Sequence, residues 1–199
     1  VCEKCDEVQL ATSSQIDVAR IEAAVKEILE AIGEDPTRPG IVDTPKRVAK
    51  WWREFIGYNP GSVGTTFEDA SAGVVMVSGM RVWSMCEHHL LPFWCDVTVA
   101  YKPAGKVLGL SKFARIAHKH AHRPQLQERL VTGIAEEVIE RTGSRDVAVV
   151  GHGEHLCMTA RGIRTPSIMT SMALHGQFET DVALRQIVLD QARTAKGVM

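Results

Sequence analysis

The chain has 199 residues, 45% of them hydrophobic, which suits one domain, or one domain with a helical appendage, and supplies enough apolar surface for a core. Its 23 Lys and Arg nearly balance 24 Asp and Glu, so no global field favours nucleic acid or an anionic membrane, and an anionic ligand must be caught by locally placed cations. No apolar run approaches the length of a membrane span, and the start "VCEKCDEVQL" lacks the basic-then-apolar order of a signal peptide, so the expected compartment is the cytoplasm.

Residues 1–14 read as a tail. Cys2 and Cys5 in it have zinc-knuckle spacing, but a structural finger needs a second ligand pair close by. From Gln15 to Ile32 the apolar Ile21, Val25, Ile28 and Ile32 recur at helical spacing, with Ser14 as the cap and Gly33 as the stop. After a loop dense in Gly and Pro, "DTPKRVAKWWREFIG" puts Thr44 at a cap and Pro45 at the first helical position of a helix ending at Gly57. These helices form a segment over 15–60, ahead of a main domain over 61–199.

In that domain "GVVMVSGMRVW" and "FWCDVTVAY" predict strands, the second alternating Phe93, Cys95, Val97, Val99 and Tyr101 on one face. Helices follow over Ser111 to His122 and Gln125 to Arg141, the second with the stripe Leu126, Leu130, Ile134 and Val138 and a stop at Gly143. Strands near Asp146–His155 and Ile168–Phe178 precede a polar helix from Thr180. The order β-β-α-α-β-β predicts an α+β domain, an antiparallel sheet with a helix pair on one face.

Five cysteines, at positions 2, 5, 86, 95 and 157, are an odd number in a chain too long to need disulfide staples, so reduced thiols or metal ligands are expected. In "SMCEHHLLPF", Cys86 and His89 have the C-x2-H spacing that converges two side chains on one ion. In "GEHLCMTARG", His155 and Cys157 lie two apart on a predicted strand and share a face. Two thiolates and one imidazole suit Zn²⁺ and leave a fourth position open, as catalytic zinc requires. Either segment alone reads better as small buried thiols and core histidines. The pair reads better as one shared site.

Three further clusters carry weaker signals. Ser111 opens a helix with Lys112 and Arg115 near its start, which is a phosphate seat or, more simply, a capped helix with a solvated basic face. Gln127 and Glu128 begin the next helix, where an acid ordinarily complements the dipole. His118, His120 and His122 adjoin no acid or cysteine in the chain and read as surface histidines.

Taken together, "SMCEHHLLPF", "VLGLSKFARIA", "RPQLQERL" and "HLCMTARGIR", in this order, closely resemble the GTP cyclohydrolase I family, and "GEDPTRPGIVDTPKRVAK" resembles its N-terminal helical segment. The similarity runs from about Ile21 to Phe178. It implies a tunnelling fold (T-fold), in which a four-stranded antiparallel sheet and two helices from each subunit join into a barrel. Five subunits make a ring, and two stacked rings make a homodecamer with inter-subunit active sites.

The resemblance also implies GTP as substrate, and formate and 7,8-dihydroneopterin triphosphate as products, the first step toward tetrahydrofolate and other pterins. It assigns one zinc per subunit to Cys86, His89 and Cys157, leaving His88 and His155 for acid–base work and Ser111 for later proton transfers. Glu128, supported by Gln127, reads guanine. Lys112, Arg115 and Arg161 surround the triphosphate, with Arg47 and Lys50 reaching in from a neighbouring subunit. Trp94, Cys95, the Met-rich "SIMTSMALHGQF" and the histidines of "HKHAHRPQ" depart from the family pattern. The alternatives are a paralogue that serves a deazapurine pathway or stops at the formamide, and a non-catalytic zinc-containing pterin- or nucleotide-binding oligomer. The presence of His88, Ser111, Glu128 and His155 favours the enzyme.

Overall fold

The structure, a computed structural model, describes residues 16–68 and 73–195. Cys2, Cys5 and Ser14 lie outside the described residues. The chain forms two compact units that divide between Asn59 and Pro60. In the first, α1 (Val18–Ala31) and α2 (Thr44–Ile56) pack on each other. Asp17 caps α1, its carboxylate accepting the Arg20 N–H at 2.9 Å. The N-cap of α2 is Asp43, one residue ahead of the expected Thr44. Pro45 thus sits in the first turn, where its missing N–H would have had no partner in any case.

The second unit is α+β. Its sheet has the order β5-β2-β3-β6-β7, where β2 is Val75–Cys86, β3 Pro92–Tyr101, β5 Pro124–Gln125, β6 Val147–His155 and β7 Met169–His175. The four long strands are antiparallel. The fifth, β5, corrects the expectation of four: Pro124 interrupts the helical run, and the extended pair it leaves lies parallel along the end of β2. A separate ribbon joins β1 (Thr66–Glu68) to β4 (Lys106–Leu108), strands too short to show a period in the sequence.

Alternation along β3 separates two cores. Phe93, Cys95, Val97, Val99 and Tyr101 are buried with Phe113 and Ile116 of α3 (Leu110–Ala121) and with Leu130, Ile134 and Val138 of α4 (Gln127–Thr142). Leu126, expected to head that stripe, is instead the N-cap of α4. On the other face Ala100, Ala148 and Val150 pack with Phe178 of α6 (Gln177–Thr180) and with Val188 and Ala192 of α7 (Val182–Thr194). Cys95 sits against Gly151, where an added Cβ would come within 2.8 Å of its Sγ and 2.9 Å of Val131 Cγ1. Burial pushes the Cys95 thiol up to about 12, so it acts as a small inert hydrophobe.

The histidines of α3 are half-buried, which corrects the expected surface placement. Glu137 of α4, 17 residues from His120, faces that ring: its carboxylate, only 5% exposed, accepts from His120 Nε2 at 2.8 Å and from Lys119 Nζ at 2.8 and 2.9 Å. Burial alone would raise the Glu137 pKa, but the hydrogen bonds and charges of His120 and Lys119 outweigh it and hold the carboxyl at about 2.

Two outcomes follow from this packing. The stability that Glu137 contributes is full above its ordinary value of 4.5 and is lost as pH falls through about 2, so the gap in unfolding midpoint between wild type and Glu137→Gln should narrow across that window. Gly151→Ala should destabilise by about 1–3 kcal/mol through overpacking against Cys95 and Val131, read from denaturant midpoints.

Candidate active site

β2 ends at Cys86, and the chain turns at once. The Cys86 N–H donates to Leu91 O at 2.9 Å, while Cys86 O accepts from Leu90 N at 2.8 Å and His89 N at 3.3 Å. Leu90 takes a left-handed φ of 50° to close this turn, which folds the His89 ring back so that Nδ1 lies 4.0 Å from Cys86 Sγ. Glu87 pins the turn from outside: its N–H donates to Gln125 O at 3.2 Å, and its carboxylate meets Arg129 Nη1 at 2.7 Å.

From the other side of β3, β6 delivers its last residue to the same end of the sheet, because Phe93 pairs with His155. There the chain enters α5 (Leu156–Thr159), so Cys157 lies on a helical turn instead of the expected strand. The turn carries Cys157 Sγ to 3.8 Å from Cys86 Sγ. The donor atoms of Cys86, His89 and Cys157 all lie within 4.8 Å of one another. Burial raises the Cys157 pKa, and the adjoining Cys86 thiol raises it further, because two anions this close repel. A borderline-soft dication removes that penalty and stabilises both as thiolates, so the donor set fits a metal such as zinc.

His155 is held from two directions. Its ring stacks on Phe93, with centroids 4.3 Å apart and planes 9° from parallel, and its Nε2 lies 3.1 Å from Gln127 Oε1. Gln127 is fully buried. Its amide nitrogen faces Gly151 O at 3.1 Å, Met169 O at 3.1 Å and Ser171 Oγ at 3.0 Å. Those acceptors turn the amide oxygen toward the imidazole, so His155 donates its Nε2 proton and Nδ1 carries the lone pair in the neutral ring. Burial lowers the His155 pKa while Glu128 draws it back, which favours the neutral ring at pH 7. Gly153 makes room for this anchor, since a Cβ there would collide with Gln127 Oε1 and Trp94 O.

Residues 21–193 match the GTP cyclohydrolase I family. The chain belongs to that family. It is 49% identical over 174 residues to GTP cyclohydrolase 1 of Hyperthermus butylicus, covering 87% of this chain and 90% of that protein. It is 46% identical over 185 residues to GTP cyclohydrolase 1 of Bacillus subtilis, covering 90% and 97%. Among solved structures, the apo form of the archaeosine synthase QueF-Like aligns over 53% of this chain and 96% of its own, at 20% identity and a TM-score of 0.39, too slight a likeness to carry an argument.

Of the residues to which the GTP cyclohydrolase I resemblance assigns roles, Cys86, His89 and Cys157 form one cluster, with Arg161 reaching His89 Nε2. His88 is exposed in the turn, 6.2 Å from His89 ring to ring. Glu128 is exposed in the first turn of α4, close enough to His155 to act on its charge. Ser111 is exposed at the start of α3. Lys112 is not on a solvated face: it is buried, and its Nζ donates to Ser62 O at 2.8 Å, the same oxygen that Arg115 Nη1 meets at 3.2 Å. Arg47 and Lys50 are exposed on α2 of the first unit, 3.6 Å from Asp43 and 3.7 Å from Glu54.

The sequence reading did not single out Glu87, Arg129, Gly153 or Ser171, and it gave Gln127 no structural role. The signal within reach was Glu87, inside the Cys-Glu-His-His turn itself.

As purified, the protein should carry about one metal ion per chain, and Cys157→Ser, which replaces a thiolate by a poor ligand, should lose most of it. Elemental analysis alongside a circular dichroism spectrum separates this loss from misfolding.

Proposed function

We propose that this chain is a zinc-dependent GTP cyclohydrolase that opens the imidazole ring of GTP at C8, releases formate and yields 7,8-dihydroneopterin triphosphate. The observation that carries this reading is the approach of two thiols and an imidazole to within 4.8 Å of one another at the sheet end that also holds the anchored His155. Zinc held by Cys86, His89 and Cys157 would supply Lewis acidity and lower the pKa of a coordinated water toward about 7.

The chain's own groups do the rest. His155 takes a proton from the attacking water at Nδ1 and returns it to guanine N7, while its Nε2–H stays with Gln127. His88 orients the water or the ribose. A second hydration releases formate, and Ser111 moves protons as the ribose rearranges and closes onto the freed amine. Glu128 accepts from guanine N1–H and the exocyclic amine together, a pattern adenine does not offer. Gln127 supports this reading of the base from behind, by fixing the start of α4. Lys112 and Arg115 already converge on one oxygen, as a two-cation clamp for phosphate does, and Arg161 completes it, with Arg47 and Lys50 from a neighbouring subunit.

Subunits arranged as a T-fold homodecamer account for the open sheet edges. Among the described residues β7 pairs only with β6, and β5 covers only the last two residues of β2, so strands of like subunits can extend both edges and close a barrel.

The test is to incubate metal-analysed protein with GTP, with and without a chelator, and to follow pterin fluorescence and formate. Chelator-sensitive dihydroneopterin triphosphate is expected. A formylated ring-opened product would mean a truncated reaction, and no turnover with metal bound would mean a binding protein. His155→Ala should keep its metal and lose about 10²–10⁴ in turnover. Glu128→Ala should lose discrimination between guanine and adenine nucleotides while keeping part of its triphosphate affinity.

A further inference from the structure

A single row of polar residues crosses the sheet: Arg81 of β2 pairs in register with Asp96 of β3, Asp96 with His152 of β6, and His152 with Thr170 of β7. Successive side chains alternate between faces, so this row lies on the side opposite Phe93 and Cys95 and away from the Cys86 cluster. Beneath the end of α7 the row opens into a cavity of about 530 Å³, walled also by Trp94, Ile168, Ala192 and Arg193. That size lies within the range of small-molecule sites, roughly 300–1,000 Å³.

We propose that this cavity is a second ligand site, for a small monocarboxylate carried on an apolar body. Asp96 is already neutralised, because Arg81 grips it through two hydrogen bonds of 2.8 Å while lying 4.3 Å from the Trp94 ring centroid. His152 is not fully used. Its Nδ1 lies 2.8 Å from Thr170 Oγ1, and its Nε2 is shut from solvent with no hydrogen-bond partner among the described residues. An unpaired ring nitrogen is a condition that buried polar atoms rarely keep, and a carboxylate selects the tautomer in which the Thr170 hydroxyl donates to Nδ1 and Nε2 bears the proton toward the ligand.

Arg193 supplies the charge. Its contact with Asp190 is a long 3.8 Å, and its influence already reaches His152. Arg81 and Arg193 against Asp96 leave one positive charge on the lining, which Asp190 at 3.8 Å offsets only in part and one carboxylate can take up. Ile168 and Ala192 offer apolar surface to the remainder of the molecule. This site shares no residue with the Cys86 cluster or the groups proposed to hold GTP.

The probe is benzoate, with neutral benzamide as its isostere, titrated into the full-length protein by calorimetry and ligand-observed NMR. Saturable binding at one site per chain is expected, unaffected by GTP. Benzamide, Arg193→Ala and His152→Phe should each weaken it by about tenfold or more, the worth of one hydrogen bond to a charged group. Arg193 is exposed at a helix end, so its removal tests the site even where His152→Phe fails to fold. Absence of saturable binding, equal binding of benzamide, an affinity unchanged in either folded variant, or displacement by GTP would overturn the proposal.

Discussion

β3 sits between β2 and β6, with Pro92 opposite Met85 and Phe93 opposite His155, and this register brings the ends of both neighbours to one edge of the sheet. The turn after β2 then offers Cys86 and His89, and the helical turn after β6 offers Cys157. A slip of one residue would invert β3, moving Cys95 and Val97 out of the core and taking Phe93 from beneath His155. The apolar alternation that stabilises the domain therefore also places its reactive groups. Fold and site depend on the same pairing.

A second constraint is the buried amide of Gln127. Burying a polar side chain is unfavourable unless its hydrogen bonds are made, and here they are made to two strands and to His155. The amide ties the start of α4 to β6 and β7, and in doing so selects which His155 nitrogen holds the proton. Gly153 is the complement on the strand, a residue without the Cβ that would displace the amide. Orientation of the imidazole is thus inherited from packing within one subunit.

The long elements were legible because their periods are plain: Phe93 to Tyr101 at two, and Leu130, Ile134 and Val138 at four. So was the approach of Cys86 and His89 to Cys157, from two Cys-plus-His segments at predicted strand ends. What escaped depends on contacts remote in the chain. His120 looked like surface because Glu137 is 17 residues away, and Lys112 because its acceptor, Ser62, precedes it by 50. Gln127 at a helix start carries no mark of burial, and β5 is too short for any period. The row from Arg81 to Thr170 appears only once four strands are in register.

Cys86, His89 and Cys157 can hold a metal at this sheet end through two thiolates and one imidazole. Zinc K-edge X-ray absorption on the purified protein tests it most directly. Two sulfur donors and at least one imidazole are expected in the wild-type protein. A site with four sulfur donors, or with none, would contradict it.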